Sequence, residues 1–274
     1  MKDITLKELH NIYYRRFNLL HRFLTENNIQ YYAIGGTALG AVRHDGIIPW
    51  DEDIDIAMTR ENYNRFLKIC DKLDKQYFKC INYHNDKHAC HPLTKIALCG
   101  VRQINKRVKE KYSGNYYIDV FPLDNIYRDE RKQKQLVKRI NRLKRLLYFK
   151  ERTLYSKNLI RGLALLIIKA CLIFVSPRYL CKRYDILASK PTQSNDKNKD
   201  MLWTSGGVYV FEKELHSTKT YGKPKLHKFG NGYIFIPEDF NQFLIDTYGT
   251  DYMTPYYRSK GVDFKCCLDD QYEE

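Results

Sequence analysis

The chain is short of acidic side chains, and it has neither a long apolar run nor a paired-cysteine motif. Its 274 residues contain 32 Asp and Glu against 47 Lys and Arg, a formal net charge of +15. Such an excess of positive charge suits polyanionic partners such as nucleic acid, anionic lipid or a phosphate-rich substrate. The eight cysteines show no C-x-x-C spacing, and the opening residues, MKDITLKELHNIYYRRF, lack the apolar core of a secretory signal. We therefore expect reduced thiols in a cytoplasmic protein.

The most apolar stretch, 159–175, is interrupted by Arg161 and Lys169. Its longest uncharged run, 162–168, is far shorter than the ~20 apolar residues of a membrane-spanning helix. A basic helix followed by an apolar one favours attachment in the plane of an anionic membrane, here the inner face of the plasma membrane. The alternative is an apolar core helix under a solvated basic helix. The basic segment contains eleven cations: Arg128, Arg131, Lys132, Lys134, Lys138, Arg139, Arg142, Lys144, Arg145, Lys150 and Arg152.

A histidine- and cysteine-rich stretch at 80–91 raises the question of zinc. The spacing C-x3-H-x3-H-x-C-H fits no closed tetrahedral pattern of zinc ligands. A loop between two strands is therefore the preferred interpretation, and zinc binding is left open.

The most informative stretch is an acidic cluster that follows a Gly-Gly pair, AIGGTALGAVRHDGIIPWDEDIDIAMT at 33–59. Asp53 and Asp55 alternate with isoleucines, and in a strand both carboxylates share one face. Two like charges 4 Å apart repel by about 4 kcal/mol even at an effective dielectric constant near 20. A bound cation explains this arrangement, and an all-oxygen ligand set favours Mg²⁺ or Mn²⁺ over zinc. The alternative is a solvated acidic turn before a strand.

A third acid, Asp119, lies within the β-prone run YYIDVFPL at 116–123. A lone carboxylate between Ile118 and Val120 is costly to bury unless it is paired or binds metal. The alternative interpretation of Asp119 is a salt bridge to one of the many Lys or Arg side chains.

The Gly35-Gly36 pair comes between a short apolar run and a short helix predicted from Thr37 to about Val42. Backbone amides at such a helix start, with no Cβ in the way, can hold a phosphate. Arg43 and His44 follow as cations near an anionic donor, with a structural salt bridge to Asp45 or Asp51 as the alternative.

These three motifs together resemble the nucleotidyltransferase superfamily with the polymerase-beta-like palm, in which three acids on adjacent strands hold divalent metal. The run GGTALGAVRHDGIIPWDEDIDIAM at 35–58 resembles, more narrowly, the LicD family. The runs YYIDVFPLD at 116–124 and YGTDYMTP at 248–255 are similar to later motifs of that family.

The resemblance implies transfer of an alcohol phosphate, such as phosphocholine, from a CDP-linked donor to a glycan hydroxyl with release of CMP. It implies Mg²⁺ or Mn²⁺ as cofactor, a cell-surface glycan as acceptor and no nucleic-acid partner. Catalysis and metal binding fall to Asp53, Asp55 and Asp119, with Asp119 as the proposed base. The implied substrate-binding residues are Gly35, Gly36, Thr37, Arg43, His44, Trp50 and Lys95.

We expect an α/β (α+β) fold in one catalytic domain, 1–274, with a small mixed sheet and a helical insertion at about 128–190. Hydrophobic periodicity predicts helices, and β-prone runs predict strands. The predicted helices are 5–28, 62–73 and 238–248, and the predicted strands are 31–34, 53–56, 95–98, 116–123 and short strands within 221–237.

Two other functions fit parts of the sequence. The acids and the charge also suit a nucleotidyltransferase that uses a nucleoside triphosphate and releases pyrophosphate. A non-catalytic binder of membranes or nucleic acid would use the basic segment, but it would gain nothing from a cluster of carboxylates.

Overall fold

The structure, a computed structural model, describes residues 2–105, 114–151, 159–255, 264–269 and 272. Helices and strands are interspersed along the chain. The helices are α1 (Leu6–Glu26), α2 (Gly35–His44), α3 (Arg60–Ile69), α4 (Glu130–Glu151), α5 (Leu159–Ile173), α6 (Pro177–Ser189), α7 (Thr218–Tyr221) and α8 (Phe240–Tyr248). The strands are β1 (Lys2–Asp3), β2 (Tyr32–Ala33), β3 (Ile54–Thr59), β4 (Phe78–Ile81), β5 (Thr94–Asn105), β6 (Gly114–Tyr127), β7 (Lys197–Trp203), β8 (Leu215–Ser217), β9 (Lys225–Phe229), β10 (Gly232–Ile236) and β11 (Phe264–Leu268).

The main sheet is mixed, and its central strands run in the order β1-β11-β5-β6-β3-β2. Strand β3 pairs with β6 in parallel, whereas the neighbouring pairs β5–β6 and β2–β3 are antiparallel. Strand β4 joins the edge of β5, and β7 and β8 extend the sheet from β6. The α+β class with a mixed sheet is confirmed, but the sheet has nine strands in the described residues and is not the small sheet that we expected.

Helix α1 begins and ends close to its predicted boundaries because its local signals are strong. The Thr5 hydroxyl accepts the backbone N–H of Glu8 at 3.2 Å, and the Glu8 carboxylate accepts the backbone N–H of Thr5 at 2.7 Å. This reciprocal cap satisfies two of the amides that a helix start leaves unpaired. One face of α1 packs on the sheet through Leu9, Ile12, Tyr13, Phe17, Leu20 and Leu24.

Several predicted elements differ in extent from the structure; the strand predicted over 53–56 is Ile54–Thr59, so Asp53 precedes it, and the strand predicted over 95–98 is Thr94–Asn105. The helix predicted from Thr37 already begins at Gly35 and continues to His44. The helix predicted over 62–73 begins at Arg60, and a 3₁₀ turn replaces its last residues. The tail from Gly261, for which no period was predicted, includes β11 paired with β5, while 256–263 lie outside the described residues. A five-residue strand owes its pairing to distant chain, so local pattern does not reveal it.

The predicted insertion corresponds to α4, α5 and α6, which lie between β6 and β7. Helices α4 and α6 share a second core with the sheet, built from Leu136, Ile140, Tyr184, Ala188 and Trp203. The predicted single domain over 1–274 stays a prediction.

A buried ion cluster joins this insertion to the sheet. The Arg60 guanidinium donates to both Asp124 oxygens at 2.8 and 2.5 Å and to Asp185 at 2.7 Å. The Tyr83 hydroxyl donates to the other Asp185 oxygen at 2.8 Å. Since Arg60 begins α3, Asp124 lies on β6 and Asp185 lies on α6, one guanidinium connects three elements.

Helix α5 is not a core helix, so the core alternative for this stretch is wrong over the residues described. Its side chains Leu163, Leu166 and Ile167 are 62%, 64% and 57% exposed, and Phe174 just beyond it is 91% exposed. Arg152 and 153–158 lie outside the described residues, as does the side chain of Arg161. No helix in the described part of the chain has the length and apolar character needed to cross a membrane.

We predict that Asp124→Ala lowers the free energy of unfolding by about 3–5 kcal/mol, because the buried Arg60 guanidinium then lacks its Asp124 partner. Urea unfolding followed by circular dichroism measures this. Asp196→Ala is the matched control, because it removes the exposed ion pair with Lys132 and should cost less than about 1 kcal/mol. Equal losses for the two variants would contradict a structural role for the cluster.

Candidate active site

Three charged side chains form a row across the middle of the sheet. Asp55 on β3 is the register partner of Asp119 on β6, and Asp119 is the register partner of Lys95 on β5. Register partners project from the same face of a sheet, with neighbouring strands about 4.8 Å apart. The Lys95 ammonium donates to both Asp119 oxygens at 3.0 and 2.9 Å. The salt-bridge alternative for Asp119 is therefore present in the structure, and its partner is Lys95.

The carboxylates of this row repel one another. Burial, reinforced by the charges of Asp53 and Asp119, raises the pKa of Asp55 well above its usual range, while Lys95 opposes the rise. Asp53 immediately precedes β3 and is exposed. Its negative charge therefore acts on Asp55 from a solvent-exposed position. Carboxylates held this close favour a ligand that brings positive charge.

The start of helix α2 faces this row. The Thr37 hydroxyl accepts the backbone N–H of Asp55 at 2.8 Å, which fixes the first turn of the helix against β3. A Cβ on Gly35, whose φ is +53°, would lie 3.9 Å from Asp55 Oδ2. A Cβ on Gly36 would lie only 2.7 Å from Asp51 Oδ2. The Asp51 carboxylate thus rests beside a helix N-terminus, where the helix dipole favours negative charge.

Arg43 and His44 end the same helix, and Arg43 does not form the salt bridge to Asp45 or Asp51 that was the alternative interpretation. The Arg43 guanidinium donates to the backbone carbonyls of Tyr252 at 2.9 Å and Thr254 at 3.4 Å, rather than pairing with Asp45 or Asp51. It thereby joins the first family-like motif to the segment after α8.

His44 and Trp50 form a small aromatic group near the acids. Their rings meet edge to face with centroids 6.0 Å apart. Burial, followed by the charge of Arg43, lowers the pKa of His44. Both side chains are only half-buried, so they remain accessible from the solvent.

Helix α1 holds the loop that carries the acids. The Tyr14 hydroxyl accepts the backbone N–H of Ile47 at 2.9 Å, and His10 Nε2 lies 2.7 Å from the carbonyl oxygen of Asp51. Asp45 accepts the backbone N–H of Gly230 at 2.6 Å from the β9–β10 hairpin. The acidic loop is thus fixed from both sides before any ligand binds.

Sequence reasoning missed Tyr248, which begins the third family-like run. Its hydroxyl would lie 4.0 Å from a Cβ on Gly35, so it borders the same cleft as Asp55. The ring of Tyr209 packs on it edge to face at 5.7 Å. The matching run at 248–255 was a usable signal, because its first residue is the one that reaches the cleft.

The predicted metal ligands do not form a complete cage. No three Asp, Glu, His or Cys side chains within the described residues are arranged to hold a metal ion. Mg²⁺, however, is usually bound by one or two carboxylates together with substrate phosphates and water. The repulsion among Asp53, Asp55 and Asp119 fits such a partial site, so the donor set suits a metal that arrives with a phosphate ligand.

The residues of the 80–91 stretch have other contacts. Cys80 Sγ lies 2.8 Å from Cys70 Sγ, and His91 Nε2 lies 3.1 Å from Glu151. None of the eight cysteines, all of which lie in the described part of the chain, forms a disulfide bond.

Comparison with known proteins shows that the acidic core is similar to a known family of domains. The family model for the LicD/FKTN/FKRP nucleotidyltransferase domain matches residues 28–154. A lipopolysaccharide cholinephosphotransferase LicD from Haemophilus influenzae is 41% identical over 69 residues, which are 25% of this chain and 26% of that protein. The predicted resemblance to LicD is thus confirmed over the matched residues.

Two uncharacterised proteins of rickettsiae are also similar. The Rickettsia typhi protein is 35% identical over 114 residues, 40% of this chain and 33% of that protein. The Rickettsia prowazekii protein is 31% identical over 111 residues, 38% of this chain and 41% of that protein. The chain thus spans between about a quarter and two fifths of the curated relatives it matches.

We predict that Lys95→Met destabilises the protein by about 1–3 kcal/mol in the presence of a chelator, since Asp119 then lies beside Asp55 without a cation. Adding Asp119→Asn should restore most of the loss. Urea unfolding measures both effects, with Lys79→Met on the exposed edge strand β4 as control. A Lys95→Met protein as stable as the parent would show that the pair does not neutralise the row.

Proposed function

Because residues 28–154 match the family model of the LicD/FKTN/FKRP nucleotidyltransferase domain, we propose that the chain transfers an alcohol phosphate from a CDP-linked donor to a glycan hydroxyl. The observation that carries the proposal is the row of Asp55, Asp119 and Lys95 facing the uncapped start of α2. The similar Haemophilus influenzae protein is a lipopolysaccharide cholinephosphotransferase by name, which supports the proposal. Phosphocholine or a related phospho-alcohol is therefore the transferred group that we propose.

The proposed reaction is an in-line displacement at the phosphorus that bears the alcohol. The glycan hydroxyl forms a new P–O bond, the P–O bond to CMP breaks, and its electron pair leaves with CMP. The hydroxyl proton passes to Asp119, which lies between Asp55 and Lys95 and is oriented by the Lys95 ammonium. Positioning of this kind accounts for much of the barrier reduction in phosphoryl transfer.

Asp53 and Asp55 are the residues that would hold Mg²⁺ or Mn²⁺, since Asp119 already has Lys95 as a cationic partner. The bound ion would supply charge neutralisation on the donor diphosphate. The amides at the start of α2 would bind one donor phosphate. There the phosphate meets the Asp51 carboxylate, whose like charge makes a cation at this end of the site more favourable.

The remaining candidates are proposed as substrate contacts of different kinds. Lys95 reaches the acid row and would also meet a donor phosphate. His44 and Trp50 offer half-buried rings beside the acidic loop, and Arg43 acts by holding the segment after α8. Gly35, Gly36 and Thr37 shape the phosphate-binding turn.

We further propose that α5 attaches the protein to the inner face of an anionic membrane, where a lipid-linked glycan would be presented. Its exposed apolar side chains are not covered by the described part of the chain. A helix with such an apolar face can bind in the plane of a membrane interface. The cations of the preceding helix add attraction to anionic headgroups.

We predict that Asp53→Asn and Asp55→Asn each abolish CMP release from CDP-alcohols while leaving the far-ultraviolet spectrum unchanged. A panel of labelled CDP-alcohols with a glycan acceptor measures the activity, with the exposed Asp71→Asn as control.

Mg²⁺ at a hundred times its Kd should raise the free energy of unfolding of the parent by about 2.7 kcal/mol, and raise that of the variants less. Full activity in excess chelator would reject the metal. Pyrophosphate release from a nucleoside triphosphate, with no CMP from any CDP-alcohol, would favour the nucleotidyltransferase alternative.

We predict that vesicles containing anionic lipid float the protein at low salt, and that Leu166→Ser with Ile167→Ser abolishes flotation. The reason is that both side chains are more than half exposed on α5 and have no apolar cover. The control pair, Leu226→Ser with Tyr233→Ser, removes equally exposed apolar groups from the β9–β10 hairpin. Binding that is equal for neutral and anionic vesicles, or unchanged in the α5 variant, would contradict this attachment.

A further inference from the structure

A basic groove runs along helix α4 on the side that faces the chain after β7. It encloses about 750 Å³, and its far wall is formed by Phe211 and Glu212. Helical spacing places residues four and seven or eight apart on one side, so the cations of α4 follow the groove in line. The cations that line it are Arg128, Lys134, Lys138, Arg142 and Arg145.

Most of the groove cations lack an acidic partner within the described residues, whereas two other cations of the segment are held by protein groups. Lys132 pairs with Asp196 at 2.7 Å, and Lys144 donates to the carbonyls of Ser205 and Gly207 at 3.1 and 2.6 Å. Within the described residues, Lys134 has a long contact of 3.8 Å to Glu130 as its ion pair, and no carboxylate lies within ion-pairing distance of Arg128, Lys138, Arg142 or Arg145. A row of five cations, four of them without a carboxylate partner among the described residues, gives this concave surface a positive potential that favours an anion.

The segment 205–212 has contacts both at the groove and at the edge of the candidate active site. Lys144 fixes the beginning of this segment to α4 by its two bonds to backbone carbonyls. Tyr209 then packs on Tyr248 at the edge of the acid cleft, and two residues later Phe211 lines the groove. A chain-like ligand can thus lie along one short segment and reach both places.

We propose that this groove binds the anionic, phosphate-bearing part of the acceptor glycan, and that segment 205–212 leads its hydroxyl toward Asp119. The inference rests on the proposed function and adds the acceptor class to it. Guanidinium groups bind phosphate in bidentate fashion, which suits Arg142 and Arg145. The two carboxylates of the groove, Glu130 and Glu212, accept hydrogen bonds from sugar hydroxyls and disfavour a uniformly anionic polymer.

Two other anions fit the groove less well. A single-stranded nucleic acid gains much of its affinity from bases stacked on free aromatic rings. Here Phe211 already packs edge to face on Trp203 with centroids 5.4 Å apart. A lipid surface is broad, whereas the groove is recessed between α4 and 211–212.

The test is calorimetric binding of a phosphorylated oligosaccharide, pentamannose phosphate, and of the same sugar after phosphatase treatment, both without donor. We expect Arg142→Gln with Arg145→Gln to weaken binding of the phosphorylated sugar roughly tenfold, a loss that added salt reproduces. Arg142→Lys with Arg145→Lys should lose less, because the charge remains. The control Lys182→Gln with Arg183→Gln removes the same charge from the exposed face of α6 and should leave binding unchanged.

Binding without donor separates this inference from the proposed transfer. If only the groove variant binds the phosphorylated sugar more weakly, the groove is supported as the binding site, even if the protein releases no CMP. Equal affinity for the phosphorylated and the treated sugar, or equal losses in groove and control variants, would overturn it. A groove variant that loses binding to a short RNA or to anionic vesicles, but not to the phosphorylated sugar, would also overturn it.

Discussion

The arrangement of the candidate site depends on the register between β3, β6 and β5. This register places Asp55, Asp119 and Lys95 in one row, so that a single ammonium lies beside carboxylates that would otherwise repel. The parallel pairing of β3 with β6 is essential here, because a shift of one residue would turn one of the two acids to the opposite face. A neighbouring helix is also fixed against the strand that carries Asp55. Helix α2 is joined to β3 because the Thr37 hydroxyl accepts the backbone N–H of Asp55.

Lys95 has a double consequence for chemistry at the row. In the absence of a ligand it neutralises Asp119, which lowers the repulsion that the fold must withstand. In the function that we propose, Asp53 and Asp55 would hold a cation that arrives with a phosphate, and an incomplete metal site fits that proposal. A preformed cage of three free carboxylates would destabilise the unliganded protein.

The sequence contained the local part of this information. The capping residues of α1, the strand around Asp55 and the strand around Asp119 follow from short-range pattern, and the family motif supplied the likeness to LicD. The pairing of Lys95 with Asp119 did not follow, because they are separated along the chain and meet only through strand register. The same reason hid β11, which pairs with a strand far from it in sequence, and the contact of Tyr248 with the cleft. The sequence shows the cations of the segment 128–152, but it does not show which of them are held by protein groups and which lack a carboxylate partner among the described residues.

Two of these contacts fix the position of the insertion relative to the sheet that carries the acid row. Arg60 joins α6 to β6, and Lys144 joins α4 to the segment that reaches Tyr248. The basic groove is therefore held at a set distance from the acid row by buried charge at one end and by backbone carbonyls at the other. The apolar face of α5 lies on the same insertion, and Lys150 of α4 donates to the carbonyl of Leu172 in α5. If the acceptor is lipid-linked and carries phosphate, as we propose, the insertion would contact the membrane through α5 and the acceptor through α4, while the acid row lies on the adjoining sheet.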